Sequence, residues 1–291
     1  MRYKKIIILA CCLSTVFTGL YAQSNTSNNL QYLKPEIGGV GHLLQPTRPT
    51  IQLPYQMLRM TPDRNDYLDD RISNFPLQIP SHRMGYVFSI MPVTDPVVTP
   101  ESWHEQAAYD QDLEDRSPWH YQNYFTEKDI SIDFVPSQKA AIFRFQFPAH
   151  THKTILFGAY NGSPNYWKKE KGNAISGMQY FEAEDNLKPV AVYMYGEFNA
   201  QPRLHSEDGN DIDSLGGNHA KAYCDFASDN NTIEFRYAIS YISPKQAKRN
   251  FDEEVKGISL EALSEKAKQA WADVFSQIQV EGGTKEQKES F

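Results

Sequence analysis

Strict alternation of apolar and polar side chains dominates the middle of the chain and predicts strands. Over 141–147, Ala141, Phe143, Phe145 and Phe147 share one face of an extended backbone, and Arg144 and Gln146 take the other. Ile130, Ile132 and Phe134 alternate in the same way with Ser131 and Asp133. Ile233, Phe235, Tyr237, Ile239 and Tyr241 form the clearest stripe, opposite Glu234, Arg236 and Ser240. Segment 189–198 is apolar on both faces at first and turns polar at Gly196 and Glu197, the pattern expected of an inner strand that reaches a rim. Turn-rich loops separate these runs from 34 to about 236. Many strands without intervening helices predict a mainly β fold, a large antiparallel β-sandwich of two packed sheets.

The period changes at Ser243-Pro244, where Ser caps a helix and Pro fills its first turn, predicting a helix from 243 to about 255. A second helix follows Gly257, with Ser259 as its cap. Leu260, Leu263, Ala267, Trp271, Val274, Phe275 and Ile278 recur along it at helical spacing and give one buried face. That face needs a partner, either the sandwich or a helical domain. Gly282-Gly283 ends the segment, and Thr284 with Gln287 three residues on is the capping box of a further helix. Phe291 stands where that helix is beginning, so the chain is expected to be the front portion of a longer protein.

Composition fits this picture: 40% hydrophobic and 13% aromatic residues are ample for a core. With 29 Lys and Arg against 36 Asp and Glu, and no basic run outside the first five residues, a nucleic-acid partner is excluded. Arg2, Lys4 and Lys5 precede an apolar run from Ile6 to about Leu20, and Ala22-Gln23 offers a cleavage point, the anatomy of a secretory signal peptide. The alternative, a lipoprotein signal at Ile8-Leu9-Ala10-Cys11, would leave a short apolar region where about 7–15 residues are usual. The expected location is periplasmic or extracellular, in a bacterial envelope. No other run is long and apolar enough to span a bilayer. With Cys11 and Cys12 inside the signal, Cys224 is alone and no internal disulfide can form.

Three blocks at the strand-to-helix junction carry a family resemblance. They are Phe235-Arg236-Tyr237-Ala238-Ile239-Ser240-Tyr241-Ile242-Ser243, then Gln246-Ala247-Lys248-Arg249-Asn250-Phe251, then Ala270-Trp271 running into Val280-Glu281-Gly282-Gly283-Thr284. Pro118-Trp119-His120-Tyr121 and Ile175-Ser176-Gly177 are looser matches. Together they resemble the glycoside hydrolase family 92 α-mannosidases, over 34–291 and most strongly in the last sixty or so residues. The resemblance implies an N-terminal β-sandwich, a helix pair and glycine turn, and an (α/α)6 catalytic barrel beyond the end of this chain. After the signal peptide (1–22) and an Asn/Ser-rich flexible leader (23–33), it divides the chain into the sandwich (34–242), a helical linker (243–283) and the start of the helical catalytic domain (284–291). It further implies inverting, exo-acting hydrolysis of terminal α-linked mannose, with a bound Ca²⁺ whose ligands lie mainly in the barrel. The expected partners are a mannose-containing glycan and the barrel of the same protein.

Two motif regions depart from the family. Its Gly-Asn-Thr and Pro-Gly-Ala segment is replaced by Gly41-His42-Leu43-Leu44-Gln45-Pro46-Thr47-Arg48-Pro49, and its Gly-Phe-Ser-His-Thr-His stretch by the residues from Ser73 to Arg83. The chain is therefore read as a divergent member. Inverting hydrolysis requires two carboxylates about 6.5–9.5 Å apart, and no residue here matches the family's acid and base motifs, so no catalytic residue is assigned.

Substrate-binding loops are what the sandwich can supply. The run Asp63-Arg64-Asn65-Asp66-Tyr67-Leu68-Asp69-Asp70 leads, because guanidinium and carboxylate groups can each take paired sugar hydroxyls. Arg64 and Asp66 are its candidates, against the plain alternative of a solvated acidic turn. Arg48 and His82 fall in the departed motif regions. Trp167, after Tyr166, could stack on a sugar ring, as could Trp103-His104 and Trp119-His120, although core packing is the commoner fate of a Trp. The acidic loop 207–213 offers oxygen ligands but lacks the Gly and terminal Glu placement of an EF-hand, so no metal residue is assigned. A non-catalytic carbohydrate-binding or scaffolding module is the competing reading, and a sandwich that mainly stabilises a neighbouring domain is the third.

Overall fold

The computed structural model describes residues 29–37, 49–65, 69–80, 85–159, 164–181, 188–227, 229–278 and 281–291 of the chain. The expected signal peptide and the first part of the leader lie outside these residues, as do Arg48, Asp66 and His82.

Two antiparallel sheets face each other. The larger has nine strands in the spatial order Ser214–Asn218, Pro164–Lys169, Ala174–Phe181, Val190–Phe198, Thr232–Ser240, Ala140–Gln146, Ile130–Pro136, His120–Phe125 and Asp115–Ser117. The smaller has five, Arg203–Ser206, Ala222–Asp225, Thr154–Gly158, Val87–Val93 and Phe75–Gln78. The alternating stripes predict the register. Phe143 pairs with Phe235 on one side and Phe134 on the other, so three stripes fall on one inner face. There Phe143 lies 4.7 Å from Phe134 and 5.8 Å from Phe75 of the opposing sheet, ring centroid to centroid. Such contacts add about 0.5–1.5 kcal/mol each beyond the apolar area they bury. The Tyr237 hydroxyl donates to the Leu77 carbonyl at 2.8 Å and ties the two sheets together at depth. Gly196 is needed beside it, because a Cβ there would fall inside contact distance of the Phe235 ring.

Strand Val190–Phe198 corrects one expectation. Val190 is exposed, and burial alternates from Val192 onward instead of covering both faces at the start. One face of this strand lies on the core and the other is only half covered.

Helix α1 (Pro244–Glu254), capped by Ser243, and helix α2 (Leu260–Phe275), capped by Ser259, pack on the outer face of the nine-stranded sheet. The sandwich is therefore the partner of their apolar faces as far as Trp271, whereas the expected stripe does not continue: α2 ends at Phe275 and Ile278 beyond it is exposed. Phe251, Val255, Leu260, Leu263 and Ala267 meet Val135, Ala140, Ile142 and Ala238 in a second core. Polar bonds fix the layer. Asn250 Nδ2 donates to the Ile239 carbonyl at 2.8 Å, Trp271 Nε1 to the Gln52 carbonyl at 2.8 Å, and Arg236 to the Ile258 carbonyl. Arg144 reaches both Glu234 (2.7 Å) and Glu261 (2.6 Å), joining sheet to helix. The third helix, α3 (Lys285–Ser290), begins at the Thr284–Gln287 capping box, after Gly282 and Gly283 at φ 79° and 78°.

Candidate functional site

In the five-stranded sheet Phe157 points inward onto Trp167, so Leu156 with Met91 and Gly158 with Ser89 lie on the opposite face, where Leu156, Met91 and Ser89 are themselves buried. This outer face floors a cleft of about 390 Å³. Gly158 lets the roof descend: a Cβ there would meet Ser89 Oγ at 2.8 Å and the Trp103 ring at 3.5 Å.

Three walls surround the floor. On one side Asn74 Nδ2 donates to Asp63 Oδ2 at 3.1 Å and to the Tyr86 hydroxyl at 2.9 Å. The carboxylate only accepts, so it fixes the orientation of the amide. The second wall is the turn Pro100–Trp103, capped reciprocally by Thr99 and Ser102, with Trp103 Nε1 donating to the Phe157 carbonyl at 3.0 Å. The third carries His219 and Lys221; the Lys221 ammonium stands 5.6 Å over the Trp103 ring and 3.8 Å from Glu207.

The residue between them holds that third wall. Ala220 N–H donates to Asn165 Oδ1 at 2.8 Å, and its carbonyl accepts from Asn165 Nδ2 at 2.7 Å and Trp167 Nε1 at 3.0 Å. Two buried side chains of a strand of the large sheet thus clasp a loop of the cleft. Among the described residues lining the cleft there is no Asp or Glu, so the arrangement can bind a polar ligand but contains no acid and base pair.

The structure brings Trp103-His104 together with Ser73-Asn74, the start of the departed motif region, in this one cleft. His219 and Lys221 join them and were missed in the sequence, where no spacing marks them. Other candidates are corrected. Trp167 is 1% exposed and packs on Phe88 and Phe157, so it is a core residue and offers no ring face to a sugar. Arg64 has a nearly buried side chain engaged with Glu114, which itself is fully buried, and with the Tyr109 hydroxyl. Burial works against the Arg64 charge, and the Glu114 carboxylate outweighs it and holds the guanidinium protonated. Burial also pushes the Tyr109 phenol up to about 12. Arg64 is thus an anchor of its loop, through a partner fifty residues away. Trp119 packs against the second core, and His120 meets Asp133 at 3.0 Å, both away from the cleft.

Metal ligation finds no support among the described residues, where no group of three or more His, Cys, Asp or Glu could hold an ion. In the acidic loop, Asp211 lies 2.8 Å from His205 Nδ1 and Glu207 faces Lys221. These residues do not fit a Ca²⁺ site. No helix among the described residues is long and apolar enough to cross a membrane.

Comparison with known proteins follows the same layout. The glycosyl hydrolase family 92 N-terminal domain matches residues 32–240, and the family 92 catalytic domain matches 246–291, beginning in α1. A search of curated proteins returns no match. Among solved structures, a family GH92 inverting mannosidase from Bacteroides thetaiotaomicron VPI-5482 superposes with a TM-score of 0.79 at 23% identity, covering 90% of this chain and 38% of that one. A family GH92 α-mannosidase from Bacteroides thetaiotaomicron, in complex with mannoimidazole, superposes with a TM-score of 0.80 at 17% identity, covering 90% and 39%. The chain spans about two fifths of the length of these structures, and at such identities the likeness carries the fold. With a family model matching most of its length and a second taking up at α1, the chain belongs to glycosyl hydrolase family 92.

Proposed function

We propose that this chain is the sandwich portion of an exported α-mannosidase that removes terminal α-linked mannose from glycans with inversion. The observation that carries the reading is the continuity of the two family matches across one packed body: the N-terminal match fills the sandwich, and the catalytic-domain match begins in the helix layer fixed to it. The solved relatives described as mannosidases support the substrate class. In this reading the sandwich supplies a wall for sugar binding, and the acid and base come from catalytic-domain residues other than 246–291. Three carboxylates in that stretch are engaged on the helix layer: Asp252 with Lys248 and Lys256, Glu253 with Arg249, Glu261 with Arg144. The proposal includes a Ca²⁺ held by the catalytic domain, and export directed by the basic and apolar N-terminus.

A non-catalytic carbohydrate-binding module is the second reading, favoured by a cleft whose described lining has no carboxylate. One experiment separates them. Full-length gene product, supplied with Ca²⁺, is expected to release mannose from α-mannosides as the β-anomer, followed by proton NMR, and to lose activity to a chelator. Residues 23–291 alone are expected to release none. Binding of mannosides by the full-length protein without any release would leave the module reading and end the mannosidase one.

A further inference from the structure

We infer that the apolar groove between the 3-10 turn Leu30–Tyr32 and the facing ends of α2 and α3 is the seat of further helices of the catalytic domain, and that this N-terminal turn is a strap that sets how the domain meets the sandwich. This rests on the reading that a helical catalytic domain belongs to the same protein.

The hinge is the first ground. α3 follows Gly282 and Gly283, both left-handed, and a Cβ added at Gly282 would meet nothing within 4 Å. Two successive glycines in an open turn leave the backbone free to rotate, so the turn by itself does not aim α3. The strap does. Leu30–Tyr32 lie in the stretch expected to be a flexible leader, yet Leu30 is 4% exposed and the turn packs against both α2 and α3. The Lys288 ammonium of α3 stands 5.4 Å over the Tyr32 ring, within the range of a cation–π contact. Residues near the start of the chain thus hold the helix that follows the hinge.

The open surface is the second ground. A groove of about 340 Å³ runs between strap and helices, lined by Tyr32, Leu33, Val274, Phe275, Ile278 and Phe291. Ile278 is 65% exposed and Phe291 77%. Large apolar side chains gathered in one open groove mark a contact surface, and an amphipathic helix is the element that fills such a groove. Continuity names the occupant. Both helical walls lie inside the stretch matched by the family 92 catalytic domain, and this chain spans about two fifths of the length of its solved relatives. A neighbouring helix of the same domain extends an interface that strap, α2 and α3 have already begun.

The test uses the full-length gene product carrying Ile278→Cys, with Val97→Cys, at a position 69% exposed, as the reference. Maleimide labelling is read by peptide mass spectrometry. Labelling at 278 is expected to be ten-fold or more slower than at 97 at every protein concentration. Adding Leu30→Asp is expected to speed labelling at 278 at least ten-fold and to speed amide hydrogen exchange over 285–290, with exchange in Ala140–Gln146 and Thr232–Ser240 unchanged; Leu30→Met should keep the slow rates. Where Leu30→Asp also speeds exchange in those strands, Tyr32→Ala, which removes only the ring under Lys288, carries the same expectation. Equal labelling at 278 and 97 would overturn the inference, as would protection that vanishes on dilution, which points to a second copy in the groove. Labelling at 278 that neither strap variant changes would end the strap's role. Mannose release with equal labelling would sink this inference alone, whereas a protected groove without mannose release would sink the mannosidase reading alone.

Discussion

Asn165→Ala is the sharpest perturbation of the cleft, because it acts from inside the core. Asn165 is 3% exposed and its amide makes two bonds to one residue, accepting from Ala220 N–H and donating to the Ala220 carbonyl. After truncation the carbonyl keeps Trp167 Nε1, but the N–H loses its partner in a buried place. An orphaned buried group costs about 1–3 kcal/mol, and the second lost bond adds about 1 kcal/mol. The expected loss is therefore about 2–4 kcal/mol, which for a chain of this size lowers the melting temperature by roughly 3–7 °C. Asn165→Asp separates the two bonds: its carboxylate still accepts from the N–H but sets a second oxygen against the Ala220 carbonyl. It is expected to be at least as damaging above pH 5 and to recover on acidification, where a protonated carboxyl can donate. Urea and thermal unfolding of the three proteins measure this. A loss below about 0.5 kcal/mol in Asn165→Ala would refute the clasp, since no orphaned buried donor costs so little.

Other expectations follow from the same structure. Arg144 holds the Glu261 carboxyl down to about 2, chiefly through their hydrogen bond. Because that value is depressed, the stabilisation is present above the unfolded carboxyl range near 4.5 and is lost as pH falls toward 2. Glu261 is 65% exposed, so solvent screening limits the effect to about 0.5–1 kcal/mol, and Arg144→Met should flatten the pH dependence of unfolding in that window. Tyr237→Phe leaves the Leu77 carbonyl without its inter-sheet donor and should cost about 1–2 kcal/mol, seen as a lower urea midpoint at unchanged slope. Gly196→Ala should cost more, about 1–3 kcal/mol or above, because the Phe235 ring and the Arg236 carbonyl crowd the added methyl; equal stability to the parent protein would contradict the packing described.

Much of the fold was legible because its strands obey a simple period. The stripes at 130–134, 141–147 and 233–241 align as register neighbours in the large sheet. The caps Ser243, Ser259 and Thr284 start their helices where the sequence places them, since a side-chain oxygen accepting from the first turn is a local event. The site was far less legible, for a matching reason. Trp167 and Trp103 are the same residue type, and only the strand face of the first and the 3-10 turn of the second decide which is core and which lines a cleft. Asn165, a polar residue at an inward position, hides the alternation that would have marked Trp167 as buried. Arg64 reads as a binding group until Glu114 arrives from a distant strand edge. Lys221 acquires its place only through Asn165, more than fifty residues earlier.

The bonded layer of α1 and α2 has a practical consequence for anyone dividing this protein. A truncation at Ser240, the border between the two family matches, would strip the cover from Val135, Ala140, Ile142 and Ala238 and leave the Ile239 carbonyl without Asn250. The freed surface is a flat, sticky patch on the broad side of a sheet, of the kind that drives self-association. The smallest transplantable piece therefore carries the helices to Phe275, and the sandwich cannot be exchanged between relatives as a loose cassette.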